Sequence, residues 1–543
     1  MSTIFTNGRY FDSGTGSRVG SVAVVNGRIA AIGGLEKART VAGSHADEVD
    51  LQGGLLSPGF IDAHFHPMMG GLERSMCDLG SATSARDCVE IVSAFAQRNP
   101  AEAWIVGGGW RLDLFPGGVP TRHELDAVVP DRPVILRSAD RHVSWVNSRA
   151  LEIAGVTAHT PDPDDGRVVR DSQGNPSGIF YEGGIALIER ASPAPSQSAL
   201  KRGLMVAQEY ALSLGITGWQ DALLRVQQNG VDSLDAYLEA ISEGGLKVKV
   251  TGALWWDRTR GLEQLPELVA RRRRAEGKSD RFRADSIKIM LDGIPESFTA
   301  LLSHPYHDGH GNPTNNSGIR HIDTAALRQI VRALDAEGFQ MHFHAIGDQA
   351  VRESLDALAE LPGNSDLRHH LAHLQVVNPE DVRRFAGLTA TANIQPLWAQ
   401  NEPVMTDLTL PFLDPSLWPW VYPFGDLARA NAHLAAGSDW PVSDANPLAG
   451  MHVAVNRSSH ASSAAGPFIP EQAMSLQVIW DAYTSGSAWT NHRETTTGAI
   501  RVGAAADLAV IDRDPFSNSI DHIERAIVTG TWIDGEQVWA RGA

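Results

Sequence analysis

What most constrains this chain is a repeat of order rather than of sequence. From Ser198 onward, an amphipathic helical stretch is followed by a glycine near its C-terminal end and then by a short apolar or β-branched run. LMVAQEYALSLG precedes ITGWQDA, SLDAYLEAISEGG precedes LKVKVTGALWW, and AALRQIVRALDAEG precedes FQMHFHA. AVRESLDALAEL leads to LRHHLAHLQ, a helix capped by Asn378 with Pro379 at its first position leads to LTATANIQP, and FGDLARAN leads to AHLAAGSDW. Adding DSIKIMLDG and the earlier FIDAHFH gives eight strands. That is the count of an α/β fold of the (β/α)8 TIM type. A doubly wound sheet is the competing architecture, and the lack of a Gly-rich turn after the first strand disfavours it.

The two ends of the chain have another texture. Residues 3 to 57 carry short β-type runs, IFTNGRYF and SVAVVNGRIAAIG, broken by Asn-Gly and Gly-Gly turn signals. The last fifty residues resume that style with DLAVIDRD, RAIVTGTWIDG and EQVWARG. Residues 1–57 and 496–543 are therefore expected to pair as one small composite β-sandwich domain. Residues 58–495 then form the barrel, and the stretch 70–195 between its first two strands reads as an insertion lying over the active-site face. A chain of 543 residues, 43% hydrophobic and 20% charged, has ample material for such a core.

Barrels of this kind place their chemistry at the C-terminal ends of the strands. The stretch FIDAHFHPM ends the first strand with His64 and His66, which share a face at i and i+2. Twenty histidines scattered over 543 positions give about 0.7 such pairs by chance, so this pair alone carries little weight. The other strand ends supply it. Lys288 stands in the apolar SIKIMLDG of strand four, His344 ends strand five, His373 ends strand six, and Asp439 follows strand eight in GSDWP. Imidazole and carboxylate donors suit Zn²⁺, and a divalent metal with an open position lowers the pKa of water from about 15.7 toward 7, making hydroxide available at neutral pH. At that centre Asp439 can accept the water's proton and return it to a leaving amine, which makes it the catalytic candidate.

Seven stretches, SPGFIDAHFHPMMGG, ADRHVSWVNSRAL, SIKIMLDG, HAIGDQAV, AHLQ, GSDWPV and VGAAADLAVIDRDP, resemble the amidohydrolase superfamily. Within it they are similar to amidohydrolase family 3, the YtcJ-like group that includes N-substituted formamide deformylases. The resemblance implies that His64, His66 and Asp439 hold one metal and that His344 and His373 hold a second. It further implies that Lys288 bridges the two ions as a CO₂-derived carbamate, and that His142, Trp145 and Asn147 of the insertion contact substrate. The implied activity is metal-dependent hydrolysis of a non-peptide C–N bond, with an N-substituted formamide or related amide as substrate. A deaminase, a carbamate or lactam hydrolase, and a non-catalytic scaffold are the alternatives. Against the deaminase, HAIGDQA offers Asp348 where a Glu arrangement is expected; against the scaffold, all six ligand positions are filled.

Other residues carry two readings. Lys288 can instead pair with Asp292 or with Glu182, and Glu182, in GIFYEGG of the insertion, is itself a candidate for the substrate site. His342 shares the face of His344 deeper in its strand and reads as a packed or orienting histidine, while His369 and His370 read as strand residues near the barrel's other end. Trp256, Trp398 and Trp440 stand at or just past strand ends, where tryptophan offers either a flat wall to substrate or ordinary core. His304, His307 and His310 read as a solvated loop, and the Pro- and Trp-rich run 396–424 is long enough to be a lid.

A net charge of −18 opposes a phosphate-tracking surface, so nucleic acid is not an expected partner. The basic run Arg271 to Arg274 reads as the solvated face of a helix. No apolar run is long enough to span a membrane, and two cysteines, Cys77 and Cys88, fit a reducing compartment. The expectation is a cytoplasmic enzyme acting on a small-molecule amide, with homo-oligomerisation left open.

Overall fold

The computed structural model describes residues 2–74, 76–227, 229–363 and 366–542. Eight parallel strands follow one another round a barrel in sequence order. They are β1 (Phe60–Phe65), β2 (Ile216–Leu224), β3 (Lys249–Trp255), β4 (Phe282–Met290), β5 (Gln340–Ala345), β6 (His370–His373), β7 (Thr391–Ile394) and β8 (His433–Ala436). Helices begin between them where the sequence supplies a cap. Asp323 accepts from the amides of Ala325 and Ala326 at the head of Thr324–Ala336, and Asn378 accepts from Glu380 ahead of Pro379–Gly387. Among the described residues no helix is long and apolar enough to cross a membrane.

Branched apolar side chains usually fill such a barrel, yet here much of the filling is polar. Gln220 Nε2 donates to Ser286 Oγ (3.1 Å) and to Gln340 Oε1 (3.0 Å), and Gln340 Nε2 donates to the Thr490 carbonyl (2.7 Å). Higher up, Asn393 Nδ2 donates to the Ala63 carbonyl at 2.8 Å. These bonds replace the water that the buried amides lose.

The ring closes between β1 and the chain just beyond β8. The Asp439 amide donates to the His64 carbonyl (2.7 Å) and the His66 amide to the Trp440 carbonyl (2.9 Å). Asp62 latches the seam from inside, accepting from the His64 amide (3.0 Å), the Ser438 amide (3.1 Å) and Ser438 Oγ (2.5 Å). Gly437 is forced by this approach, because a Cβ there would stand 2.5 Å from the His64 nitrogen and 2.7 Å from Asp62 Oδ1. Gly437→Ala is expected to destabilise the protein by about 2 to 4 kcal/mol, the scale of severe overpacking. An unchanged urea midpoint in that variant would show that the seam can yield.

Three further sheets lie outside the barrel. A four-stranded sheet orders Arg28–Gly33, Ser21–Val25, Ser2–Thr6 and Asp47–Asp50. The six-stranded sheet joins both chain ends, because Leu508–Ile511 runs antiparallel to Leu55–Pro58. Phe5, Val22, Leu56, Leu508 and Trp532 bury together between them. Lys249, at the start of β3, ties this unit to the barrel through Asp507 and Asp534. Between β1 and β2, strands from Cys77–Asp78 to Pro176–Glu182 make a separate six-stranded sheet with an apolar core of its own. The expected solvated face at Arg271 needs correction: Arg271 is buried and forks onto Asp232 (2.6 and 3.0 Å), and Arg274 reaches the same carboxylate.

Candidate active site

The seam that closes the barrel also assembles three side chains. His64 Nε2 and His66 Nε2 stand 3.2 and 2.8 Å from Asp439 Oδ1, and one donor atom from each residue falls within 4.8 Å of the others. Burial, with the nearby Lys288 cation, pushes His64 down to about 3 and so keeps it a neutral imidazole. Burial alone would raise Asp439, but His64 and His66 outweigh it and hold the carboxyl well below the usual carboxylate range. His342 Nε2 meets His64 Nδ1 at 2.8 Å, which fixes the ring so that Nε2 faces Asp439. His370 is not at the barrel's other end as the sequence suggested. Strand β6 has only four residues, so its first ring lies 4.0 Å from that of His342. His369 does remain outside, between the Met341 amide and Asp335.

Lys288 is buried with Nζ 3.2 Å from His64 Nε2. Burial, opposed only partly by Asp439, lowers its ammonium to about 7. Neither alternative partner reaches it. Asp292 accepts from the amides of Leu301, Ile346 and Gly347, and Glu182 is engaged by His142 and Thr299. The His373 ring lies 4.6 Å from His64 and 4.5 Å from His344, centroid to centroid. His344 Nε2 is 3.5 Å from the Gly293 carbonyl, and His373 Nδ1 is 3.9 Å from Asp439 Oδ2. All six expected ligands thus converge from five strand ends. Three residues here, Glu182, His373 and Asp439, hold left-handed backbone with φ of 49°, 81° and 59°. Such strain costs of order 1 to 3 kcal/mol per residue and persists where the surroundings dictate it.

The insertion contributes His142, whose Nδ1 lies 2.7 Å from Glu182 Oε1 and whose ring is 5.4 Å from that of His344. Burial alone would lower His142, but the charge and hydrogen bond of Glu182 prevail and raise it to about 9. Two other insertion candidates are corrected. Trp145 is fully buried against Trp110 and Phe115 with its indole N–H on the Thr121 carbonyl, because it belongs to the insertion's own core. Asn147 spends its amide on Val134, Ala150, Val129 and Arg132, capping a helix rather than facing substrate.

The tryptophans divide in the same way. Trp256 is 1% exposed within the barrel core, and Trp440 stacks on Phe65 (5.0 Å, 20°) and presses on Gly70, so neither forms an open wall. Trp398 does reach the site, lying parallel to the His373 ring at 5.5 Å and 13°. It begins the run 396–424, which is a series of short helical turns anchored by Leu413, Leu417 and Val421. In the loop after β4, His307 packs near Asp414 and His310 is exposed. His321, by contrast, was not singled out in the sequence. It is half-buried in electrostatic reach of Glu182 with Nδ1 2.9 Å from Arg258, and its position in a loop gave no periodic signal.

The model of the amidohydrolase family matches residues 47–539. The chain belongs to the amidohydrolase family. This amidohydrolase is 29% identical to YtcJ of Bacillus subtilis strain 168, over 97% of either chain. It is 25% identical to the N-substituted formamide deformylase of Arthrobacter pascens, over 95% of this chain and 94% of that one. Its fold matches an uncharacterized metal-dependent hydrolase from Pyrococcus horikoshii OT3 with a TM-score of 0.73 at 23% identity, covering 96% and 99% of the two chains.

Proposed function

We propose that this amidohydrolase is a metal-dependent hydrolase of a non-peptide, amide-type C–N bond, acting on an N-substituted formamide or a related small amide. The observation that carries the proposal is the meeting of His64, His66 and Asp439 donor atoms within 4.8 Å at the closing seam. Their fit to a divalent cation is supported by orphaned atoms. His66 Nδ1 and His373 Nδ1 are buried without hydrogen-bond partners, a costly state that coordination relieves, while Asp439 Oδ1 faces two imidazole nitrogens at 2.8 and 3.2 Å. His64, His66 and Asp439 would hold one ion, with Zn²⁺ favoured by the N/O donor set, and His344, His373 and a carbamylated Lys288 would hold a second. When bound, the cation polarises a carbonyl and lowers the pKa of water.

The chain's own groups divide the remaining work. Asp439 takes the proton of the attacking water and passes it to the departing nitrogen. His142, kept protonated by Glu182, offers a donor where negative charge develops on the carbonyl oxygen. Trp398 gives the leaving N-substituent a flat surface beside His373. The likeness to the formamide deformylase supports the substrate class.

The test is kcat/KM over a matrix of acyl size against N-substituent size, with the metal content of the same preparation measured. Formyl compounds should lead on the acyl side, because larger groups crowd the point of attack. Larger N-substituents should exceed methyl by roughly ten- to two-hundredfold. Absence of hydrolysis of every formamide, amide and carbamate by metal-loaded protein would overturn the proposal. For Lys288, burial supplies the neutral amine that reacts with CO₂. Protein equilibrated with ¹³C-bicarbonate should show a carbamate carbon resonance that is missing from Lys288→Met; equal spectra would remove the bridge.

A further inference from the structure

Beside Trp398, three distant segments meet. Leu112–Leu114 of the insertion and the turn Pro295–Ser297 after β4 both pack on Val404–Thr409, which follows Trp398. They bring Asp113, Glu296 and Glu402 into one neighbourhood. Asp113 is answered by Arg111, and Glu296 accepts a hydrogen bond from Thr409 Oγ1. The carboxylate of Glu402 has neither an ion pair nor a hydrogen bond among the described residues. Arg111, the cation in its reach, is already forked onto Asp113. Two acids are therefore left without a counter-charge.

Tyr422 points independently to a ligand. It is 3% exposed, lies in electrostatic reach of Glu296 and Glu402 on one hand and of Arg457 on the other, and its hydroxyl has no hydrogen-bond partner among the described residues. Phenols in such surroundings ordinarily find a partner, so this hydroxyl is available to a ligand. Burial, opposed by Arg111 and reinforced by Asp113 and Glu296, pushes Glu402 up to about 7. An incoming cation would hold it ionised. Trp398 completes the surroundings, since the turn after it bonds the Gln400 amide to the Trp398 carbonyl at 2.9 Å and leads directly to Glu402. Its indole, four residues before Glu402 in the chain, lies on His373, and an indole face is a surface suited to ammonium groups.

We propose that Glu296, Glu402, Tyr422 and Trp398 form a subsite for a cationic group on the leaving side of the substrate, so that the preferred N-substituents end in a protonated or quaternary amine. This rests on the amide-hydrolase reading for the placement of the leaving group. A purely apolar substituent would strip water from two acids and give nothing in return. Selectivity then comes from charge as well as size.

The probes are N-(3-trimethylammoniopropyl)formamide and its neutral carbon isostere, N-(4,4-dimethylpentyl)formamide. Calorimetry on the full-length protein should show the cation binding about tenfold or more tightly, the scale of one partly desolvated charge pair. That ratio should collapse toward one in Glu402→Gln and in Glu296→Gln, and kcat/KM should follow it. Equal binding of the two probes, or a ratio untouched by both substitutions, would overturn the subsite. Selective binding of the cation without hydrolysis of either probe would leave the subsite standing and count against the reaction proposed above.

Discussion

Asp439→Asn is expected to lower kcat by about a hundredfold to ten-thousandfold while bound metal is retained, the range of a positioned proton carrier. The substitution keeps the volume and one oxygen donor but removes the site that takes up the proton. Its backbone should survive intact. Position 439 has φ of 59°, a left-handed conformation that Asn tolerates better than most residues, and the seam bond from 439 to the His64 carbonyl uses the main chain. The measurement is single-turnover rate together with metal stoichiometry. Near-normal turnover with metal present would assign proton transfer to another group, His142 being the next in reach.

The second large effect is expected from His64→Ala with His66→Ala, which should remove the ion those histidines hold with Asp439 and abolish turnover. His66 heads a helix with a half-buried ring, so its loss disturbs little packing. His64 is fully buried and bonded to His342, and truncating it leaves a cavity and a free imidazole that cost about 2 to 4 kcal/mol. The double variant should therefore unfold earlier in urea yet keep its far-UV circular dichroism. Metal at the original stoichiometry would remove both histidines from the ligand set.

Much of this was legible in the chain itself, and the exceptions share a cause. The eight strands could be counted because helix caps and terminal glycines mark each repeat, and the expected ligands sit at strand ends by register alone. Trp145 and Asn147 misled because a motif gives proximity in sequence without direction. One side chain closes the insertion's core, and the other caps a helix. Trp440 lies beside Asp439, yet its ring turns outward onto Phe65 and Gly70. His370 was misplaced since the shortness of β6 cannot be read from LRHHLAHLQ. Glu296 and Glu402 could not be grouped at all, because they meet only where loops pack, and loops carry no period; Tyr422 joins them only through its electrostatic reach.

The seam between β1 and β8 joins residues 376 positions apart. At about 5 to 20 residues per second of synthesis, the carboxylate that completes the His64, His66 and Asp439 set follows those histidines from the ribosome by roughly 20 to 75 s. Until then the expected ligand set offers four imidazoles and Lys288 but not its carboxylate, and imidazoles favour the ions at the tight end of the divalent series. Selection of the correct metal is thus deferred to the moment of ring closure. A variant that closes slowly, as Gly437→Ala should, is expected to emerge from cells with a different metal inventory even where its final fold is unchanged.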